Sequence, residues 1–318
     1  MPKSACLIFN PSAGQGNPEQ DLALIQSILN PEIDIELVLT TPDIEAGQLA
    51  REAIARGAEC IIASGGDGTL SAVAEALIGT DIPLGAIARG TANAFVNALN
   101  LPVDIGLACQ NILGGVTRQV DAALCNGKPM ILLAGIGFEA QTVEKADRAT
   151  KDRLGMLAYV VAGIAQLGNL QHFDVEIETE EKIIRTTAVA VTVANAAPPT
   201  SILAQGPAGV IFDDGLLDIT IVAPANMVGA IAASYDLLST ALSGEASSRP
   251  DVGYLRASKV KITTEPPQKV VVDGEPIGTT PIVLECLRGG LTIYTPDNEE
   301  PPLAEKLEGL PNLEIESK

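Results

Sequence analysis

The chain has 318 residues, of which 47% are hydrophobic and 3% aromatic, and it carries a formal charge of -20. The length points to two domains, and the apolar fraction supports a packed core and excludes a disordered chain. The acidic excess leaves no basic stripe to replace counterions, so it excludes nucleic acid as a partner and makes an anionic membrane a poor permanent one.

In chain order, Ala5-Phe9 reads as a strand and is followed by the loop Asn10-Pro11-Ser12-Ala13-Gly14-Gln15-Gly16. A helix is expected over 19–29, a strand over 33–39, a helix over 44–56 and a strand over 60–63. A helix over 70–78, a strand over 84–87 and a helix over 92–99 complete the series. Alternating strands and helices predict a parallel sheet with helices on both faces. Beyond about residue 120 the pattern becomes β-rich, as strands separated by turn signals in a sandwich require. Asn126-Gly127 marks a hairpin between strands over 120–125 and 128–134. A helix is expected within 139–167. Strands are expected over 173–179, 182–195, 209–212, 216–222, 259–264, 269–272, 282–286 and 291–294, with a helix over 226–243. The Pro- and Glu-rich tail is expected to hold a short helix around 303–307 and to fray.

Cys6, Cys60, Cys109, Cys125 and Cys286 are scattered and form no CxxC pair. That usage suits a reduced, cytoplasmic protein with buried thiols. The start Met1-Pro2-Lys3-Ser4 leads straight into the first strand, so no signal peptide is expected. The longest apolar stretch, 154–167, is interrupted by Gly155, Gly163 and Gln166. A membrane span needs roughly 20 apolar residues.

The chemistry concentrates in Ser64-Gly65-Gly66-Asp67-Gly68-Thr69, between an apolar strand and a helix. Glycines let backbone N–H groups face an anion, and the helix that follows adds its unpaired N–H groups and dipole. Asp67 would repel phosphate unless a divalent cation or a hydroxyl proton lay between them. The turn therefore suggests nucleotide phosphate plus metal. No Gly-Lys-Ser/Thr follows a glycine run, so a P-loop is excluded. Arg89-Gly90-Thr91-Ala92-Asn93 repeats the strand–turn–helix design, and Arg89 could supply positive charge to a triphosphate. The alternative is a plain cap with Thr91 at its head. Asp273-Gly274-Glu275 is either an ordinary turn or a carboxylate pair that deprotonates an alcohol. Asp213-Asp214-Gly215-Leu216-Leu217-Asp218 suits a hard cation or a solvated hairpin. Gly135-Ile136-Gly137-Phe138-Glu139-Ala140 mimics a dinucleotide fingerprint, but it falls after the α/β pattern has ended. His172 is the single histidine, which argues against a histidine-based triad.

Together these residues resemble the diacylglycerol kinase catalytic-domain family, in its bacterial soluble lipid kinase branch. The resemblance rests on Asn10-Pro11-Ser12-Ala13-Gly14, Gly65-Gly66-Asp67-Gly68-Thr69 and Gly90-Thr91-Ala92-Asn93-Ala94-Phe95. It also rests on Gly135 to Ala140, Asp214 to Asp218 and Asp273-Gly274-Glu275, all in family order over about residues 5–295. Two departures are Ala94, where Asp is common, and Glu139 for the usual Asp.

The resemblance implies a Rossmann-like three-layer α/β/α domain over 1–123 and a β-sandwich lipid-substrate domain over 124–295, with the active site in the cleft between them. Residues 296–318 are an acidic tail, returning to the N-terminal domain or frayed. ATP phosphates would meet Ser64, Gly65, Gly66, Asp67, Gly68 and Thr69. Asn10, Thr40, Arg89, Gly90, Thr91 and Asn93 would complete the nucleotide site. Glu275 is the implied general base, with Asp273 its partner or substitute. A structural Mg2+ would take Asp214 and the carbonyls of Ile211 and Leu216. Lys145, Arg148, Lys151 and Arg153 read either as a patch for an anionic lipid surface or as an exposed helix face beside Glu144, Asp147 and Asp152.

The implied function is ATP- and Mg2+-dependent phosphorylation of a lipid hydroxyl, most simply diacylglycerol. The enzyme would be cytoplasmic and transiently membrane-associated, and a homodimer stays open. NAD kinase, which shares the Gly-Gly-Asp-Gly-Thr turn, and a non-catalytic nucleotide- or lipid-sensing module are the alternatives.

Overall fold

The computed structural model describes residues 4–14, 16–137, 171–198, 209–224, 247–296 and 314–317, with single positions 201, 204, 229, 232, 233, 236 and 312. The helices expected within 139–167 and around 303–307, and the basic cluster over 145–153, lie outside the described residues. Of the helix expected over 226–243, positions 229, 232, 233 and 236 are described and helical. The chain divides into two compact units, Met1–Ala122 with Gly289–Glu300, and Ala123–Arg288 with Pro301–Lys318.

In the first unit, β1 (Ser4–Phe9), β2 (Asp34–Leu39), β3 (Ile61–Gly65) and β4 (Leu84–Ala88) form a parallel sheet in the order β4-β3-β1-β2. They alternate with α1 (Pro18–Leu29), α2 (Ala46–Ala55), α3 (Asp67–Leu77), α4 (Ala94–Ala98) and α5 (Ile105–Gly114). Strands β3 and β4 are buried at every residue, as helices covering both faces of a parallel sheet require. Leu7, Phe9 and Ile62 cluster with Ile25 and Leu29 of α1 and with Cys109 and Ile112 of α5. The period of two turns Cys6, Ile8, Ile61 and Ala63 to the opposite face. Helices α2 and α3 pack on each other and against β1 and β3. Their crossing is close: a Cβ on Gly47 would stand 2.8 Å from the Ala72 carbonyl oxygen.

Helix α5 is absent from the sequence reading, yet its start and stop signals are local. Asp104 accepts the Leu107 N–H at 2.9 Å, and Gly115 ends the helix in the left-handed region at φ 71°. Helix α3 begins at Asp67 rather than Leu70, with Gly66 as its N-cap. The glycine turn and the first helical turn are therefore one structure.

The second unit is built from β5 (Thr117–Cys125, whose first residues belong to the first unit), β6 (Lys128–Met130), β7 (Leu133–Gly137), β8 (Phe173–Thr179), β9 (Lys182–Ala188) and β10 (Ala190–Ala194). It continues with β11 (Leu217–Val222), β12 (Val252–Ala257), β13 (Lys259–Glu265), β14 (Lys269–Val272), β15 (Glu275–Thr279), β16 (Ile282–Tyr294) and β17 (Glu314–Ser317). One sheet runs β17-β9-β8-β13-β16, with β5 between β16 and β6. The other runs β12-β11-β10-β7-β14-β15 and is antiparallel throughout. Val175, Ile177, Val260 and Ile262 of the first meet Ile136, Val193, Ile219 and Val270 of the second in one core. This is the expected sandwich: two sheets over a shared apolar layer. The last residues of β16 belong to the first unit, where Ile293 pairs in parallel with Leu84 of β4.

Several boundaries differ from expectation. The strand expected over 182–195 is two strands, because the chain passes from one sheet to the other at Val189. The one expected over 128–134 breaks between β6 and β7, while those over 282–286 and 291–294 join as β16. Residues 209–212 form no strand, whereas β12, β15 and β17 add three. The hairpin at Asn126-Gly127 forms as read, with φ 50° and 77° at its two turn residues. All five cysteines are free and four are buried. Burial pushes the Cys6 thiol up to about 11 and the Cys60 thiol up to about 12, so neither is a ready nucleophile. Among the described residues no helix is long and apolar enough to cross a membrane.

Candidate functional site

The first unit gathers the glycine motifs at the carboxyl ends of its parallel strands, the usual ligand edge of such sheets. Gly65 closes β3, and its carbonyl accepts the Arg89 N–H at 2.7 Å. A Cβ at Gly65 would stand 2.6 Å from the Thr69 side chain, so no larger residue fits. A Cβ at Gly90 would stand 3.1 Å from Gly66 Cα, so the two turns touch backbone to backbone. Asp67 joins them. Its Oδ1 accepts the Phe95 N–H at 2.9 Å, at the start of α4. Burial pushes the Asp67 carboxyl above its ordinary value, and backbone N–H groups pull it back. Asn93 sits in the left-handed region at φ 51°, while Thr91 is exposed. Ser64 is fully buried beneath the turn, where its carbonyl accepts the Asn10 N–H at 2.9 Å.

Arg89 turns its guanidinium into the protein. Its Nε donates to Asp21 at 2.9 Å, Nη1 to the Asn10 carbonyl at 2.8 Å and Nη2 to the Ala13 carbonyl at 3.1 Å. The guanidinium also lies 4.2 Å from the centroid of the Phe9 ring, and the side chain is 2% exposed. Its role is to anchor the Asn10–Ala13 loop from beneath. Arg89→Ala should therefore destabilise the protein by about 3 kcal/mol, because it strands two carbonyls and a carboxylate. Urea denaturation checks this, and an unchanged midpoint would refute the anchoring role.

A cavity of about 500 Å³ opens in the first unit. Asn10, Thr40, Gly68 and Thr69, all anticipated, line it. Asn10 Nδ2 donates to Thr69 Oγ1 at 2.9 Å, which ties the β1 loop to the start of α3. Thr41, Pro42, Ile44, Glu45 and Ala46 also line it and were missed by sequence reasoning. Their signal was position: they connect β2 to α2 at the same sheet edge. Ser64, Gly65, Gly66, Asp67, Arg89, Gly90, Thr91 and Asn93 are not among the lining residues.

In the second unit, Asp273 and Gly274 form a two-residue turn with φ 48° and 87° between β14 and β15. Asp273 is an anchor. Its Oδ2 accepts the Ile131 N–H at 2.7 Å, and Oδ1 accepts those of Leu132 and Leu133 at 2.9 Å each. Desolvation pushes the Asp273 carboxyl up, against those three bonds. Asn195 holds the same segment, donating from Nδ2 to the Ile131 carbonyl at 2.8 Å. Glu275, two residues on, is exposed at the start of β15. The pair is thus divided into a tethered carboxylate and a solvent-facing one.

The acidic cluster carries its own cation. Asp214 Oδ1 accepts the Leu216 N–H at 3.0 Å, and Oδ2 lies 2.6 Å from Arg256 Nη2. Arg256 Nε donates to Asp218 at 3.0 Å. Burial pushes the Asp218 carboxyl up to about 7, with Arg256 opposing it. Both Asp214 oxygens are therefore engaged within the protein. A cation held by Asp214 and the carbonyls of Ile211 and Leu216 would compete with Arg256 for the Asp214 carboxylate. Among the described residues, no group of three or more His, Cys, Asp or Glu could hold a metal ion.

Residues 4–125 match the family described as the diacylglycerol kinase catalytic domain. Residues 133–295 match the YegS C-terminal NAD kinase beta sandwich-like domain. The chain is 48% identical over 305 residues to protein sll0036 of Synechocystis sp., spanning 92% of this chain and 70% of that protein. It is 31% identical to a diacylglycerol kinase of Bacillus subtilis, spanning 88% of this chain and 92% of the relative. A solved diacylglycerol kinase of Bacillus anthracis superposes with a TM-score of 0.71 at 25% identity, covering 92% of this chain and 96% of that one.

Proposed function

We propose lipid kinase activity for this chain, which belongs to the diacylglycerol kinase catalytic-domain family. The donor substrate is ATP, entering with Mg2+, and the acceptor is a lipid hydroxyl. Diacylglycerol giving phosphatidic acid is the first choice. The observation that carries this reading is the pair of interlocked glycine turns beside a cavity of about 500 Å³. The bacterial relatives named as lipid and diacylglycerol kinases support the class of acceptor.

The residues divide the work by chemistry. The first N–H groups of α3, opened by Gly66, have no partners within the helix and face the phosphates. Asp67 keeps the second turn against the first, so both sets of backbone donors are in place before charge develops. Glu275 takes the alcohol proton as the hydroxyl oxygen bonds to the γ-phosphorus and the bond to the ADP oxygen breaks. Asp273 holds the turn that presents Glu275. The enzyme visits a membrane surface transiently to reach its acceptor.

The test is transfer of labelled γ-phosphate from ATP to a panel of lipids in mixed micelles, with NAD in a parallel reaction. Label in a chloroform-extractable product is expected and would name the acceptor. Label on NAD alone would overturn the reading.

A further inference from the structure

Among the described residues that line the cavity, Glu45 alone is charged, and a phosphate cradle gives that charge no use. It stands at the N-cap of α2 but makes no side-chain bond to that helix. A bare carboxylate repels a triphosphate at close range, so its place along the sheet matters. The connections leave the strands in the spatial order β4, β3, β1, β2. These carry, in turn, the Gly90 turn, the Gly66 turn, the Asn10 loop and the loop ending at Glu45. Adjacent strands stand ~4.8 Å apart, which puts the Glu45 loop about 10 Å across the sheet from the Gly66 turn. Phosphates over β3 and β4 leave the nucleoside over β1 and β2.

There Pro42, Ile44, Ala46 and Ala72 offer apolar surface to a flat base. Glu45 offers two acceptor oxygens and no donor. The adenine amino group would satisfy one oxygen and set the N1 lone pair against the other. The ribose cis-diol brings two O–H donors side by side. We infer that Glu45 accepts hydrogen bonds from the ribose 2′- and 3′-hydroxyls and so selects ribonucleotides over 2′-deoxyribonucleotides. This inference rests on the nucleotide reading above.

Calorimetric titration of the full chain with ATP, 2′-deoxy-ATP and GTP tests it, alongside initial rates on whichever lipid accepts label. The wild type should bind ATP about tenfold or more tightly than 2′-deoxy-ATP, as charge-assisted hydrogen bonds allow. Glu45→Ala should bring ATP to the level of 2′-deoxy-ATP, with the loss falling on KM rather than kcat. Glu45→Gln, which keeps one acceptor oxygen, should retain part of the preference. Equal affinities in the wild type, or a ratio that survives Glu45→Ala, would overturn the inference. So would a variant that alters the ATP-to-GTP ratio and leaves the 2′-deoxy ratio intact, because the carboxylate would then be reading the base. Binding is measured without turnover. Failure to label any lipid would therefore sink the kinase reading alone, and failure to bind any nucleotide would sink both.

Discussion

Asp67→Ala should lower phosphoryl transfer by about 100-fold or more, the scale of losing an electrostatic element of a pre-formed transition-state site. The cause lies in what the carboxylate holds. Its bond to the Phe95 N–H keeps the Gly90 turn against the Gly66 turn. Without it the second set of backbone donors is no longer aligned, and a helix terminus loses its cap. The stability cost should be about 1–2 kcal/mol, the scale of a capping residue. Asp67→Asn keeps one acceptor oxygen and should be intermediate in both respects. Paired measurements of turnover and of the urea midpoint check this. Wild-type turnover in Asp67→Ala would remove the turn from the active site.

Glu275→Gln and Asp273→Asn should separate cleanly. Glu275 is exposed, so its amide should leave the urea midpoint within about 0.5 kcal/mol of wild type. As the general base it should cost about 100-fold or more in kcat, with ATP affinity preserved. Asp273→Asn sets an amide NH2 either against the Ile131 N–H or against those of Leu132 and Leu133, which now bond to oxygen. It should lose about 2–3 kcal/mol of stability, the scale of leaving buried donors unpaired. What turnover remains in Asp273→Asn should exceed that of Glu275→Gln, because the proton acceptor is still present. The reverse pattern, with turnover kept in Glu275→Gln and lost in a folded Asp273→Asn, would move the base role to Asp273.

The legible parts of this protein are those whose causes are local. The Gly65-Gly66-Asp67-Gly68-Thr69 turn announces itself because a strand must end and a helix begin within a few residues, and only glycine tolerates the contact with Thr69. The Asn126-Gly127 hairpin is legible because both of its residues take positive φ. The division of 182–195 between two sheets is not legible, because strand-forming residues run through Val189 with no Gly or Pro to mark the crossing. The inward turn of Arg89 is hidden for a related reason. Its position after β4 is local information, but its partners Asp21 and Asn10 lie 68 and 79 residues away. Asp273 and Glu275 look equivalent in sequence, and only bonds to N–H groups 140 to 142 residues distant make one an anchor.

The sequence by itself determined the class of fold, the phosphate-facing turn and the candidate carboxylates, since periodicity, glycine φ and motif order are written along the chain. The tertiary structure decided which polar groups face a ligand and which face the protein. It tethered Asp273 and left Glu275 exposed, buried Arg89 against the loop it seemed poised to assist, engaged Asp214 with Arg256, and brought Glu45 into the cavity wall. The physical reason is that a charge is available for chemistry only when nothing nearer neutralises it, and what lies nearer is set by packing.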